Sequence, residues 1–242
     1  MKIEKMKVEI WSDIMCPFCY IGKRHLEAAL KEFPGKENIE IVWKSFQLNP
    51  NLPDKADTTQ STYEYIANSK GISLEQSKAM HQNVVEMAKK SGLDFDFDKS
   101  VISSSLKAHK MLQMAKAKNL GDPAKERLLK AYFTEGMDMS DENTLTTLGK
   151  EIGLSEADIK TSLTDPEYFN LVQQDIQESQ QLGVQGVPFF VFDRKYGISG
   201  AQPVENFVQT IEKSYAEWRE ENKTTSIQVT EGPTCTPDGN CE

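Results

Sequence analysis

The stretch "WSDIMCPFCYIGKRHLEAAL", residues 11–30, places two cysteines, Cys16 and Cys19, where a short apolar run gives way to a helical pattern. Upstream, "MKVEIWSD" alternates Val8 and Ile10 with charged neighbours, which is a strand signal. Downstream, Tyr20, Ile21, Leu26, Ala29 and Leu30 keep helical spacing until Pro34-Gly35 stops the helix. "IEIVWKSFQL", from Ile39 to Leu48, then reads as a second strand, rich in β-branched and aromatic residues. The thiol pair therefore sits at the first strand-to-helix junction of a strand, helix, strand unit.

Residues from about 60 to 182 carry helix punctuation and no convincing strand. Ser73 opens a helix that ends near Gly92, and a second runs along Val101, Ser105, Ala108, Leu112 and Ala115 to Gly121. Asp122-Pro123, Ser140 or Asp141, Ser155 and Asp165-Pro166 open four more, the last ending at Gly183. "GVPFFVFDRKYGISGAQ" then gives two apolar runs about the turn Asp193-Arg194-Lys195, a hairpin, and Pro203 begins a final helix to about Glu221. The remainder, "NKTTSIQVTEGPTCTPDGNCE", reads as an extended tail. This order gives a mixed sheet with a helical unit grafted into one connection.

Composition narrows the function. The chain has 242 residues, with 37 Asp and Glu against 28 Lys and Arg, a formal net charge of −9. That balance repels phosphate backbones and anionic lipid surfaces, so nucleic acid and membrane are not expected as partners. No run approaches the ~20 apolar residues of a membrane span, and "MKIEKMKVEIW" lacks the apolar core of an export signal. A cytoplasmic, reducing setting is expected, where four cysteines point to redox catalysis or metal binding rather than to structural bridges.

A cysteine is nucleophilic as thiolate, and a helix N-terminus favours that anion. On this ground Cys16 is expected to be the exposed, ionised attacking thiol, and Cys19, one turn into the helix, the resolving thiol that releases a captured client. Pro17 fits the first helical turn, where its missing N–H costs nothing. The rival reading is zinc, with Cys235 and Cys241 completing four sulfur ligands, although five residues separate that second pair instead of the usual two to four.

"DIMCPFCYIGKRHLE", "KAHKMLQMAK", "AYFTEGMDMSDENTL" and "GVQGVPFFVFDRKYGISGAQP" together resemble the DsbA-family thioredoxin-fold oxidoreductases, in particular their cytoplasmic FrnE-like branch, in collinear order from Lys7 to Ile211. The resemblance implies an α/β thioredoxin-like fold (βαβ then ββα), over residues 1–58 and 184–221, with an all-helical insertion over 59–183 and a tail over 222–242. It implies dithiol–disulfide exchange through Cys16 and Cys19 on disulfide- or thiol-bearing client proteins, with glutathione or a thioredoxin-type reductant as electron partner, and no cofactor. It also makes Val187-Pro188 the cis-proline pair facing the cysteines, Pro188 completing the catalytic set and Pro17, Phe18 and Val187 meeting substrate. Phe18 stands where that branch usually has Trp. Glutathione-dependent isomerases and kappa-type transferases share the architecture but usually carry Ser at the position of Cys16.

Asp13 is a candidate for proton transfer to Cys19, or for bonding backbone N–H groups ahead of the helix. Cys235 and Cys241, around the turn-forming "TPDGN", are a candidate second redox pair. His25 is expected to pack or face solvent, His109 to be a hydrogen-bonded structural histidine, and His81 to be a solvated helix residue. Trp43 is expected in the core, whereas Trp11, Phe46 and Tyr20 are weighed as an apolar client surface.

Overall fold

The computed structural model describes residues 5–56 and 58–222. Four strands form one sheet in the order β2-β1-β3-β4, with β1 at Met6–Ser12, β2 at Ile39–Ser45, β3 at Phe189–Phe192 and β4 at Tyr196–Ser199. β1 pairs in parallel with β2 and antiparallel with β3, which turns back into β4. The hairpin is tight because Asp193 and Arg194 both take positive φ, 49° and 54°, and Lys195 N–H closes the turn on Phe192 O at 3.0 Å. That backbone matches the twist of the strands it joins.

Helix α1, Pro17–Lys31, crosses from β1 to β2, and α9, Val204–Glu221, follows β4 and packs on α1. One face of the sheet meets them: Ile10 lies opposite Phe190, whose ring meets Phe207 of α9 edge-on at 4.8 Å. On the other face Trp11 is fully buried, and its Nε1–H donates to Asp175 O at 2.8 Å. Trp11 is therefore core and not client surface, and Trp43 is core as expected.

Between β2 and β3 lie α2 (Thr62–Lys70), α3 (Leu74–Lys90), α4 (Leu106–Ala117), α5 (Gly121–Phe133), α6 (Glu142–Glu151), α7 (Glu156–Thr164) and α8 (Pro166–Gln181). Ser73, Asp141, Ser155 and Asp165 each accept a backbone N–H from the first turn of the helix they open, supplying a partner that the helix itself cannot. Helix α2 opens on the same device, Ser61 with Glu64, a signal the reading from sequence passed over.

Two boundaries differ from expectation. The α4 helix starts at Leu106, not Val101, because the β-branched and serine-rich run before it is held extended, with Ser104 N–H on Pro53 O at 3.0 Å. Helix α5 starts at Gly121, so that Pro123 falls inside its first turn, and Asp122 Oδ1 accepts the Trp43 Nε1–H at 3.0 Å in place of capping. No helix of the described residues is long and apolar enough to cross a membrane.

Candidate active site

The sheet brings the end of β1 to the start of α1. Cys16 is the N-cap residue, extended at φ −94° and ψ 111°, and Pro17 occupies the first helical position. No acidic residue stands in the first turn, so the positive end of the helix dipole is uncompensated there. Both cysteines are free thiols, 3% and 1% exposed. Beyond them Pro17 is half-buried and Phe18 is 38% exposed.

The loop before β3 reaches the same place. The Val187–Pro188 peptide bond is cis, and the Cys16 thiol donates to Val187 O at 3.3 Å. Pro188 is buried against α1 at Gly22, where an added Cβ would lie 3.1 Å from Pro188 Cγ and 3.1 Å from Phe190 Cζ. Glycine at position 22 is what allows the helix to approach so closely.

The electrostatics reverse one expectation. Cys16 is covered, and its pKa is raised well above the thiol range by its hydrogen bond to Cys19 and by burial. A thiol aimed at a carbonyl keeps its proton, because only the S–H form can donate. Burial also pushes Cys19 up, but the hydrogen bond from Cys16 and the charge of Lys125 outweigh it, and its pKa falls. The two sulfurs titrate as a pair, each state of one setting the charge the other can carry.

Lys125 was not singled out from the sequence. It is fully buried on α5, with Nζ donating to Ser12 O at 3.2 Å and lying 5.4 Å from the centre of the Trp43 ring. Burial lowers its pKa to about 8, against the pull of the Cys19, Asp13 and Cys16 charges. A signal existed: Lys125, Leu128, Leu129 and Tyr132 share one helical face, and a charge on an otherwise apolar stripe is unusual.

Asp13, 1% exposed, accepts Leu48 N–H at 2.7 Å and Met15 N–H at 3.4 Å, and its Oδ1 lies 3.3 Å from His109 Nε2. Burial would raise its pKa, yet the hydrogen bond from His109 and the Leu48 N–H hold it below the carboxylate range. Burial holds His109 down despite Asp13. The pair is therefore an ionised carboxylate beside a neutral imidazole, which must carry its proton on Nε2 to donate.

His25 bridges Gln202 O at 2.7 Å and Ser91 Oγ at 3.1 Å, a packing role. His81 departs from expectation: it is buried between the Tyr63 and Phe97 rings, 4.9 and 4.6 Å away, with Nδ1 on Ser77 O at 2.8 Å. Cys235 and Cys241, and with them the four-sulfur alternative, lie outside the described residues. A cleft of about 490 Å³ opens beside the cysteines, lined by Met15, Pro17, Leu48, Tyr65, Lys70 and Tyr132 among others.

Comparison with known proteins agrees with this architecture. A probable DsbA oxidoreductase from Streptomyces coelicolor superposes with a TM-score of 0.81, at 34% identity over 98% of both chains. The cytosolic disulfide reductase DsbM from Pseudomonas aeruginosa, solved with GSH, shares the fold at a TM-score of 0.62, with 18% identity over 87% of this chain and 99% of its own. The uncharacterised Bacillus subtilis protein YwbO is 27% identical over 187 residues, 76% of this chain and 85% of YwbO. The DSBA-like thioredoxin domain matches residues 7–212. With a thioredoxin-like sheet, a free thiol pair at the head of its first helix and a match over most of its length, the chain belongs to the DSBA-like family of disulfide oxidoreductases.

Proposed function

We propose that this chain exchanges disulfides with client proteins in a reducing compartment, Cys16 forming the mixed disulfide and Cys19 resolving it. The observation that carries the reading is the contact between Cys16 Sγ and Val187 O, which sets the outer sulfur against the loop that would hold a client. Attack begins when the Cys16 sulfur, as thiolate, takes one sulfur of the client disulfide and the other client sulfur leaves as thiolate. Pro188 offers no N–H beside that sulfur, and Val187 O, freed from the thiol, accepts a client N–H. Exposed Phe18, with Leu48 at 53% exposure, gives the client apolar area at the rim.

The experiment is turnover of a disulfide-bearing protein such as insulin by wild type, Cys16→Ser and Cys19→Ser. Cys16→Ser is expected to lose activity, and Cys19→Ser to accumulate a client adduct on non-reducing gels. A Cys16→Ser variant as active as wild type would overturn the assignment. Recovery of a scrambled substrate, measured alongside, separates isomerisation from net reduction.

The cleft next to Pro17 favours glutathione as electron partner, since a tripeptide-sized thiol fits its ~490 Å³. Mass spectrometry of Cys19→Ser equilibrated with oxidised glutathione should find the adduct on Cys16, and no adduct would remove glutathione from the proposal. The DsbM structure with GSH supports this reading by analogy of fold.

A further inference from the structure

We propose that the cleft beside Cys16 selects its small-molecule partner by charge, Lys70 anchoring a carboxylate of the incoming disulfide while His81 accepts an N–H from it. This rests on the thiol-exchange reading above and names the chemical class the cleft admits: a low-molecular-weight disulfide that carries both a carboxylate and a peptide-like N–H, oxidised glutathione being one such compound.

Helix α2 turns a whole face to the cleft. Thr62, Tyr65, Ile66, Ser69 and Lys70 recur at helical spacing and all line it. Another side of the helix packs on α3, where Ser77 Oγ–H donates to Tyr63 O at 2.8 Å. From Thr62 to Lys70 the helix rises about 12 Å, which matches the ~10 Å reach of an extended tripeptide.

Charges in the lining are few. Lys70 is exposed and is the one Lys or Arg among the described lining residues, and Asp13 is the one carboxylate. Asp13 is already engaged by His109 and by the N–H groups of Leu48 and Met15, whereas Lys70 pairs with no carboxylate among the described residues. A chain of net charge −9 repels an anionic ligand unless a local cation receives it. Lys70 is the cation that opens on the same cleft as Pro17, the neighbour of Cys16.

His81 supplies the second contact. It is 9% exposed, and its Nδ1 bonds Ser77 O at 2.8 Å; a carbonyl only accepts, so Nδ1 carries the hydrogen and Nε2 of the neutral ring is an acceptor. The Tyr63 and Phe97 rings hold the imidazole edge-on from either side, and it lines the cleft. An acceptor in a wall shared with Leu52, Ile66, Ile102 and Phe133 is best answered by a donor on the ligand. A carboxylate has no donor and a peptide N–H is one, so the ligand needs both groups.

Adduct formation on Cys16 is timed by mass spectrometry in the Cys19→Ser background, where the Cys16 sulfur, as thiolate, bonds one sulfur of the probe and the other leaves as thiolate. The probes are oxidised glutathione, anionic with N–H groups; dithiodipropionate, anionic without them; hydroxyethyl disulfide, neutral; and cystamine, cationic. Lys70→Glu is expected to lower the rates of both anionic probes relative to hydroxyethyl disulfide by about three- to tenfold and to raise that of cystamine. Lys70→Arg should keep the wild-type ratios. His81→Phe, which leaves an aromatic ring between Tyr63 and Phe97, should slow oxidised glutathione relative to dithiodipropionate; His81→Leu stands in if that variant does not fold. Unchanged ratios in Lys70→Glu overturn the anchor, and so does a uniform fall across all the probes, the mark of a merely structural lysine. An unchanged ratio in the His81 variant removes the acceptor.

Binding of S-methylglutathione, which cannot exchange, is followed by calorimetry in wild type and Lys70→Glu. A Kd raised by about three- to tenfold supports the anchor; equal affinity, or no saturable binding to wild type, overturns it. This measurement uses no sulfur chemistry, so an inert Cys16 would sink the proposed function while leaving the result legible.

Discussion

A buried carboxylate next to a thiol pair is a stability element as well as a piece of chemistry. Asp13 and His109 are both held below their ordinary pKa values, so the sign is the same for each. His109 is kept neutral by burial; its contribution is full above about pH 6.5 and is lost as pH falls below that toward its lower folded value. Asp13 adds stability present above about pH 3.9 and lost as pH falls further. The expected outcome is a protein whose urea midpoint drops between about pH 7 and pH 5, where histidine titrates and carboxylates do not. His109→Leu should cost about 2 kcal/mol at neutral pH by leaving the carboxylate one donor short, and should flatten that slope. Urea unfolding of both proteins at the two pH values measures it, and an unchanged slope would assign the pH dependence elsewhere.

Helix α1 sets the distance between the sulfurs and the Pro188 loop, and Gly22 sets the distance of α1 from that loop. A side chain at position 22 meets Phe190, fully buried and locked edge-on to Phe207, so the ring has little room to yield. Gly22→Val adds two methyl groups beyond the Cβ that already lies 3.1 Å from Pro188 Cγ. The helix gains from losing a glycine, by about 1 kcal/mol at most, but overpacking costs about 1–3 kcal/mol and β-branching returns part of the helical gain. A net loss near 1–2 kcal/mol is expected, with a fall in disulfide exchange because Val187 is pushed from Cys16. Parallel unfolding and turnover measurements test this; lost stability with unchanged turnover would break the link between helix spacing and the loop. Activity in Gly22→Ala should fall between the two.

Across the whole molecule, what the sequence made legible was local. Cys16 and Pro17 at a strand-to-helix junction, the Asp193-Arg194 turn and the caps at Ser73, Asp141, Ser155 and Asp165 are decided within a few residues. What escaped was set by distant chain. The covering of Cys16 depends on Val187, 171 residues away, and Lys125 on α5 could not be placed against Ser12 at the end of β1 until the insertion was docked on the sheet. That docking centres on Asp175 of α8, whose carboxylate accepts Ser45 N–H at 2.9 Å and Gln113 Nε2 at 2.6 Å and pairs with Lys44 at 3.1 Å and Lys116 at 3.4 Å. Strand β2 and helices α4 and α8 thus meet on one side chain, and a single buried apolar cluster runs from Val8 and Ile10 through Met111, Leu128 and Leu145. The sheet and the insertion should therefore unfold together. Asp175→Ala leaves Lys44 with Glu178 and Glu9, and the Gln113 amide with Ser45 Oγ, but strips a buried β2 N–H of its acceptor. A loss of about 3 kcal/mol is expected, with far-UV dichroism, which follows the helices, and tryptophan fluorescence, from buried Trp11, Trp43 and Trp218, still coincident in urea. Separate transitions in the wild type would mean that the insertion folds independently of the sheet, and that the contact of Lys125 with Ser12 O is held by something other than this junction.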